Sequence, residues 1–227
     1  MNSLDLSVEE GELFSLLGVN GAGKTTTIRM LTCLSSPTAG EAFICGHSTN
    51  KESSEVKKIV GISPQDTAVA GNLTVRENLE LMAGIYGFDK AGTARRIADM
   101  TKLFRLDEVL DSRAKTLSGG WKRKLSIAMA LISEPKVLFL DEPTLGLDVL
   151  ARRELWSAVN FLKGKITIIL TTHYMEEAEQ LSDRIAIMVG GRICASGTLE
   201  ELERQSGETG LENAFVKIAE QAGGAES

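Results

Sequence analysis

A chain of 227 residues with 43% hydrophobic content holds enough apolar material for one large α/β domain with a subdomain, and it shows no internal repeat or low-complexity stretch. Its net charge of −6 argues against a general nucleic-acid binder, and no apolar run approaches the roughly 18 residues that cross a bilayer, so any membrane spanning falls to another chain. The start carries no signal-peptide pattern, and three scattered cysteines, Cys33, Cys45 and Cys194, without metal-like spacing, read as reduced core thiols of a cytosolic protein.

Leu4, Leu6 and Val8 alternate with polar residues and predict a strand with one buried face. After the Glu9-Glu10-Gly11 turn, Leu13–Leu17 is almost continuously apolar, as a parallel strand covered on both faces requires. A helix is predicted over Thr25–Leu34, a break at Ser36–Gly40, a strand over Glu41–Cys45, a polar loop over His47–Ser54 and a short strand over Ile59–Ser63. From residue 72 the period becomes helical. Thr74-Val75-Arg76-Glu77 fits a capping box before an apolar helix over Asn78–Tyr86. Lys90–Phe104 reads as a second helix, followed by a short one after Leu106. Leu125, Ala128, Met129 and Ile132 predict an amphipathic helix over Gly119–Ser133. Strands then recur at Val137–Leu140, Ile166–Leu170, Ile185–Val189 and Arg192–Ala195, with helices over Leu150–Leu162 and Tyr174–Leu181 between the first three. Strands alternating with helices imply parallel crossovers and an α/β fold. Gln205–Gly210 reads as a polar linker before a short final helix striped by Leu211, Phe215 and Ile218, with Ala222–Ser227 expected to fray. The domain reading is one unit over 1–227, with a core of 1–71 and 134–204, a helical subdomain of 72–133 and a tail of 205–227.

Between the first buried strand and its helix lies Gly18-Val19-Asn20-Gly21-Ala22-Gly23-Lys24-Thr25-Thr26. This strand–loop–helix setting makes a P-loop. Its glycines let successive N–H groups turn inward on an anion, and the helix dipole adds positive potential. Asn20, Gly21, Ala22, Gly23, Lys24, Thr25 and Thr26 form the expected phosphate cradle, with Lys24 as the mobile cation and Thr25 as a magnesium ligand. Val137–Leu140 delivers Asp141 and Glu142 to the carboxyl end of the sheet, where α/β proteins bind ligands. Asp141 suits the Mg²⁺ shell, and Glu142 suits polarisation of an attacking water. Ser118 is a natural N-cap for the helix that Gly119 and Gly120 open, and that helix start also presents free N–H groups to an anion.

The order of the P-loop, Gln65, Leu117–Gly120, Val137–Glu142, Leu145–Asp148 and His173 resembles that of the ATP-binding-cassette (ABC) ATPases over essentially the whole chain. The resemblance implies a P-loop NTPase fold with a RecA-like core, a mainly parallel sheet, an inserted helical subdomain and an N-terminal antiparallel β segment. It implies that Gln65 touches Mg²⁺ or the attacking water and couples to a membrane partner. Ser118, Gly119 and Gly120 resemble the signature that binds the γ-phosphate of a nucleotide held by the opposite subunit. Asp148 resembles the aspartate of the dimer interface, and His173 the switch histidine that contacts the γ-phosphate. The catalytic set so implied is Glu142, His173, Gln65 and Lys24, and the metal set is Thr25, Gln65 and Asp141. Two copies closing head to tail around two ATP·Mg²⁺, with hydrolysis reopening them, is the implied cycle.

Two departures stand out. Trp121 follows Gly120 where many members carry Gln. The family also has one more strand and an adenine-stacking aromatic upstream of Leu4–Val8, for which Phe14, inside a buried strand, is a poor substitute. The expectation is an incomplete N-terminus with weakened adenine binding. Trp121–Ala128, Thr172–Glu179 and Leu211–Phe215 resemble exporter-type cassettes linked to drug export. The implied setting is cytoplasmic, on the inner face of the membrane, beside a separate permease whose coupling helix meets residues 66–88, where Val69 and Leu73 are either interface or core. Rival readings are an ABC ATPase without a permease and an ATP-gated interaction module. Intact Lys24, Asp141, Glu142 and His173 argue against the latter.

Overall fold

The computed structural model describes residues 4–224. In chain order its elements are β1 (Leu13–Gly18), α1 (Lys24–Leu31), β2 (Phe43–Ile44), β3 (His47–Ser48), α2 (Ser53–Ile59), β4 (Val60–Ser63), α3 (Val75–Ile85), α4 (Lys90–Phe104), α5 (Gly119–Leu131), β5 (Val137–Asp141), α6 (Val149–Leu162), β6 (Thr167–Thr172), α7 (Met175–Leu181), β7 (Arg184–Val189), β8 (Arg192–Gly197), α8 (Leu199–Ser206) and α9 (Leu211–Gly224). Short 3₁₀ turns at Leu106–Val109 and Ala114–Thr116 lead into α5. They form two units, Met1–Val56 with Lys163–Ser227, and Lys57–Leu162.

In the first unit β1 lies between β6 and β7, parallel to both, and every residue of β1 is buried. That double cover explains its nearly continuous apolar sequence, interrupted only by Ser15. β8 runs antiparallel to β7 with one register shift, and joins it through Gly190 and Gly191, both at positive φ. α8 and α9 pack on β7 and β8, so Leu17, Ile185, Ile187, Leu202, Leu211, Phe215 and Ile218 share one core. α8 begins within a capping box of Thr198 and Glu201, and ends where the linker was expected to start. Leu4–Val8 alternates in exposure as predicted but forms no strand. The expected strand over Glu41–Cys45 is only β2, paired antiparallel with β3 through Cys45 (φ 49°) and Gly46 (φ 85°). Two consecutive left-handed residues make the tight turn that matches strand twist.

In the second unit β4 and β5 pair in parallel, and α3, α4 and α6 surround α5. Every residue of α5 from Arg123 to Leu131 is buried, so the expected amphipathic helix is covered on all faces. The Thr74–Glu77 capping box forms as predicted, with Thr74 Oγ1 accepting from Glu77 N–H at 3.1 Å and Glu77 Oε2 from Thr74 N–H at 2.7 Å. Asn78 is fully buried and closes the preceding loop. Its Oδ1 accepts from Ala70 N–H at 2.8 Å, and its amide donates to the Thr74 carbonyl at 2.8 Å and the Ala70 carbonyl at 3.2 Å. Arg96 of α4 donates to the Ile132 and Leu131 carbonyls at the end of α5, at 3.2 and 3.1 Å.

Candidate functional site

The residues singled out from sequence fall into two groups, one in each unit. In the first unit, β1 ends at Gly18 and the P-loop follows. Gly21 (φ 83°) and Gly23 (φ 106°) take the left-handed backbone that turns N–H groups inward, at little cost only to glycine. Gly23 precedes α1, whose first turn carries no acidic residue to oppose an anion. Asn20, Gly21, Thr25 and Thr26 are exposed, Gly23 is half-buried, and Ala22 and Lys24 are buried. The Lys24 ammonium donates to the Gly18 carbonyl at 2.7 Å and the Val19 carbonyl at 3.3 Å, which holds the cation inside the curl of the loop. From behind, Gly191 N–H of the β7–β8 turn donates to the Ala22 carbonyl at 3.0 Å.

Leu17 of β1 pairs with Thr172 of β6, so the P-loop and His173 leave the same end of neighbouring parallel strands. The half-buried His173 ring lies 4.1 Å from that of Tyr174, and Tyr174 N–H donates to Thr172 Oγ1 at 3.0 Å, fixing the exit from the strand.

In the second unit, Ser63 of β4 pairs with Leu140 of β5. Gln65 and the Asp141-Glu142 pair therefore also leave neighbouring parallel strands at one end. Asp141 and Glu142 are buried, at 3% and 5% exposure, while Gln65 is exposed. Glu142 sits at φ 48°, a backbone strain of the kind that concentrates at functional sites. A carboxylate at the end of a parallel pair has the hard oxygen donors that Mg²⁺ prefers, and in the other unit the Thr25 hydroxyl is a donor of the same class.

Ser118, Gly119 and Gly120 stand at the start of α5. Ser118 caps the helix, accepting from Trp121 N–H at 3.4 Å, and Ser118 and Gly119 are exposed. Trp121 is half-buried under the Lys124 ammonium, 4.4 Å from the ring centre, and that ammonium is also paired with Glu154 of α6. Asp148 caps α6, its Oδ1 accepting from Leu150 and Ala151 N–H at 3.0 and 2.9 Å.

Sequence reasoning missed several residues. Arg123 reaches the Pro64 and Gln65 carbonyls, Asn78 organises the loop after Gln65, and Gly191 buttresses the P-loop. The contacts of Arg123 and Gly191 join segments far apart in sequence, and Asn78, whose partners lie within eight residues, carries no motif that marks its loop-closing role. Val69 and Leu73 are half-buried, whereas Leu81 and Ile85 of α3, one helical turn apart, are 48% and 67% exposed. No helix among the described residues is long and apolar enough to cross a membrane.

The family model described as "ABC transporter" matches residues 1–145. The daunorubicin/doxorubicin resistance ATP-binding protein DrrA of Streptomyces peucetius is 41% identical over 93% of this chain and 64% of its own length. The phospholipid-transporting ATPase ABCA3 of Homo sapiens is 42% identical over 91% of this chain and 12% of its own. The chain thus spans less than two thirds of the length of either relative. A dimeric ATP-binding cassette solved in a post-hydrolysis state with ADP and Pi bound superposes with a TM-score of 0.78 at 28% identity, covering 86% of this chain and 89% of that one.

Proposed function

The chain belongs to the ABC transporter family, and we propose on that premise that it is the cytoplasmic motor of a transporter, working on the inner face of the membrane. It is an ATPase cassette with the RecA-like P-loop NTPase fold. In this reading two cassettes, identical or similar, close around two ATP·Mg²⁺ and drive a separate permease that exports small drug-like molecules. The drug-resistance protein DrrA supports the export direction, and the dimeric ADP-bound cassette supports the pairing. The domain division proposed is a catalytic core of 1–71 and 134–204, a helical subdomain of 72–133 and the tail 205–227.

The observation that carries the reading is the P-loop itself, with two glycines in the left-handed region and the Lys24 ammonium held inside its curl. Phosphoryl transfer asks a protein mainly for positioning and charge neutralisation. Asn20–Thr26 supply N–H donors and the Lys24 cation to the phosphates. Thr25, Asp141 and Gln65 are assigned to hold Mg²⁺, which when bound would help to neutralise the phosphate charge. Glu142 is assigned to accept a proton from the attacking water, and His173 to steady the γ-phosphate. Ser118–Gly120 are assigned to the γ-phosphate of the opposite subunit's nucleotide, with Asp148 beside them at the dimer interface. The exposed Leu81 and Ile85 support α3 as part of the permease contact, since adjacent exposed apolar side chains favour a partner.

Glu142→Gln tests the assignment directly. The variant is expected to bind ATP, release no phosphate and accumulate as an ATP-bound dimer in size-exclusion chromatography. Unchanged phosphate release would remove Glu142 as the base. Co-purification of the wild-type chain with a multi-span membrane protein tests the permease.

A further inference from the structure

Gln65 is exposed, yet the backbone that carries it is held from within. β4 and α5 are joined at three successive levels. Gly61 lies so near α5 that a Cβ there would stand 2.3 Å from the Ala130 carbonyl oxygen. Two residues on, Ser63 Oγ and Ser126 Oγ share a buried hydrogen bond of 2.9 Å. At the strand end, Arg123 donates from Nη1 to the Pro64 carbonyl at 2.7 Å and from Nη2 to the Gln65 carbonyl at 2.5 Å. Residues 123, 126 and 130 lie three and four apart, on one face of the helix.

We propose that Arg123 is a positioning residue for hydrolysis, clamping the Gln65 backbone to the helix whose first residues are Ser118–Gly120. The proposal rests on the role assigned to Gln65 above. Arg123 is only 5% exposed and its guanidinium is planar and always charged, so its fork fixes both carbonyls in one geometry. Arg123 lies only five positions after Ser118, about 7.5 Å along a helix. The signature end of α5 and the glutamine therefore move as one piece. Water that relaxed the Gln65 backbone would shift its amide, and a misplacement of about 1 Å is enough to cost on the order of a hundredfold in rate.

The test uses the full chain with MgATP and the variants Arg123→Gln, Arg123→Lys, Gln65→Ala and Arg123→Gln/Gln65→Ala. Arg123→Gln is expected to lower kcat about tenfold or more, with KM and ATP affinity within about twofold, since the P-loop is untouched. Arg123→Lys keeps the charge but not the fork, and an intermediate kcat is expected. In the double variant, loss of Arg123 should cost no more than Gln65→Ala alone, because both act through one group. A wild-type kcat in Arg123→Gln, a parallel fall of ATP affinity and kcat, or full additivity in the double variant each overturns the clamp. If Gln65→Ala itself leaves kcat unchanged, the role of Gln65 falls and the clamp falls with it. If Arg123→Gln does not fold, the same criteria are read from Arg123→Lys.

Discussion

Replacing Arg96 by Met keeps a long apolar stem and removes the guanidinium. Two carbonyls lose a charged donor, Ile132 at 3.2 Å and Leu131 at 3.1 Å, in a site where Arg96 is 9% exposed. A hydrogen bond to a charged group contributes about 1.5–3 kcal/mol. The Leu131 carbonyl still accepts from Glu134 N–H at 3.1 Å, so its loss is the smaller of the two. Arg96 Nη1 also pairs with Glu134 at 2.7 Å, but Glu134 is 59% exposed, and solvent screening limits that pair to roughly 0.5 kcal/mol. The sum is about 3 kcal/mol, a fall of roughly 6–12 °C in Tm for a chain of this size. Thermal and urea unfolding read it, with the urea midpoint shifting at constant slope. Glu134→Gln is the control and should cost under about 1 kcal/mol. A Glu134→Gln variant as damaged as Arg96→Met would refute the reasoning, because the energy would then lie in the ion pair and not in the capped helix end.

Asn78→Ala strands the Ala70 N–H, while the Ala70 carbonyl keeps the Leu73 N–H and the Thr74 carbonyl keeps the N–H of residue 78, and should cost about 1–3 kcal/mol, with amide exchange in residues 70–74 rising before global unfolding. Gly61→Ala forces β4 away from α5 and should destabilise by about 3 kcal/mol, read as a lower urea midpoint. The Glu77 carboxyl is held below its ordinary pKa by the Thr74 backbone N–H, then by the Thr74 side chain. A lowered folded pKa gives stability that is present above the unfolded value and lost as pH falls through the folded one. The stability difference between the wild type and Glu77→Gln should therefore shrink as pH drops below the usual carboxylate range, measured by urea unfolding across that range. Leu81→Asp with Ile85→Asp should leave ATP binding intact and abolish co-purification with a membrane partner, if α3 meets one.

Much of the fold was legible because its signals are local. α4 matches the predicted helix from Lys90 to Phe104, and the Thr74–Glu77 box announces α3 through side chains that bond within their own turn. Other elements were hidden. α2 buries one residue, Val56, too little for a period to appear. α8 buries only Leu202, although Thr198 and Glu201 spell a capping box that marks its start. Leu4, Leu6 and Val8 show the limit of alternation, which says which face is inward but not whether a neighbouring strand is there to pair. α5 reads as amphipathic from the spacing of Leu125, Ala128, Met129 and Ile132, yet Arg123 and Lys124 are buried too, against carbonyls and a carboxylate. The candidate site divides in the same way. P-loop, acidic strand end and signature are contiguous motifs, whereas Arg123 and Gly191 matter through tertiary register, which no short window contains.

The Gly190-Gly191 turn has a consequence for how this chain can vary. Surface hairpin tips normally accept insertions, since little depends on their length. Here the amide of Gly191 is bonded to Ala22, inside the phosphate loop and about 170 residues earlier in the chain. One added residue would carry that donor away and leave the loop unsupported from behind. The tip is therefore a place where the chain should tolerate neither a tag nor a cut, although it bears no catalytic group and no motif marks it.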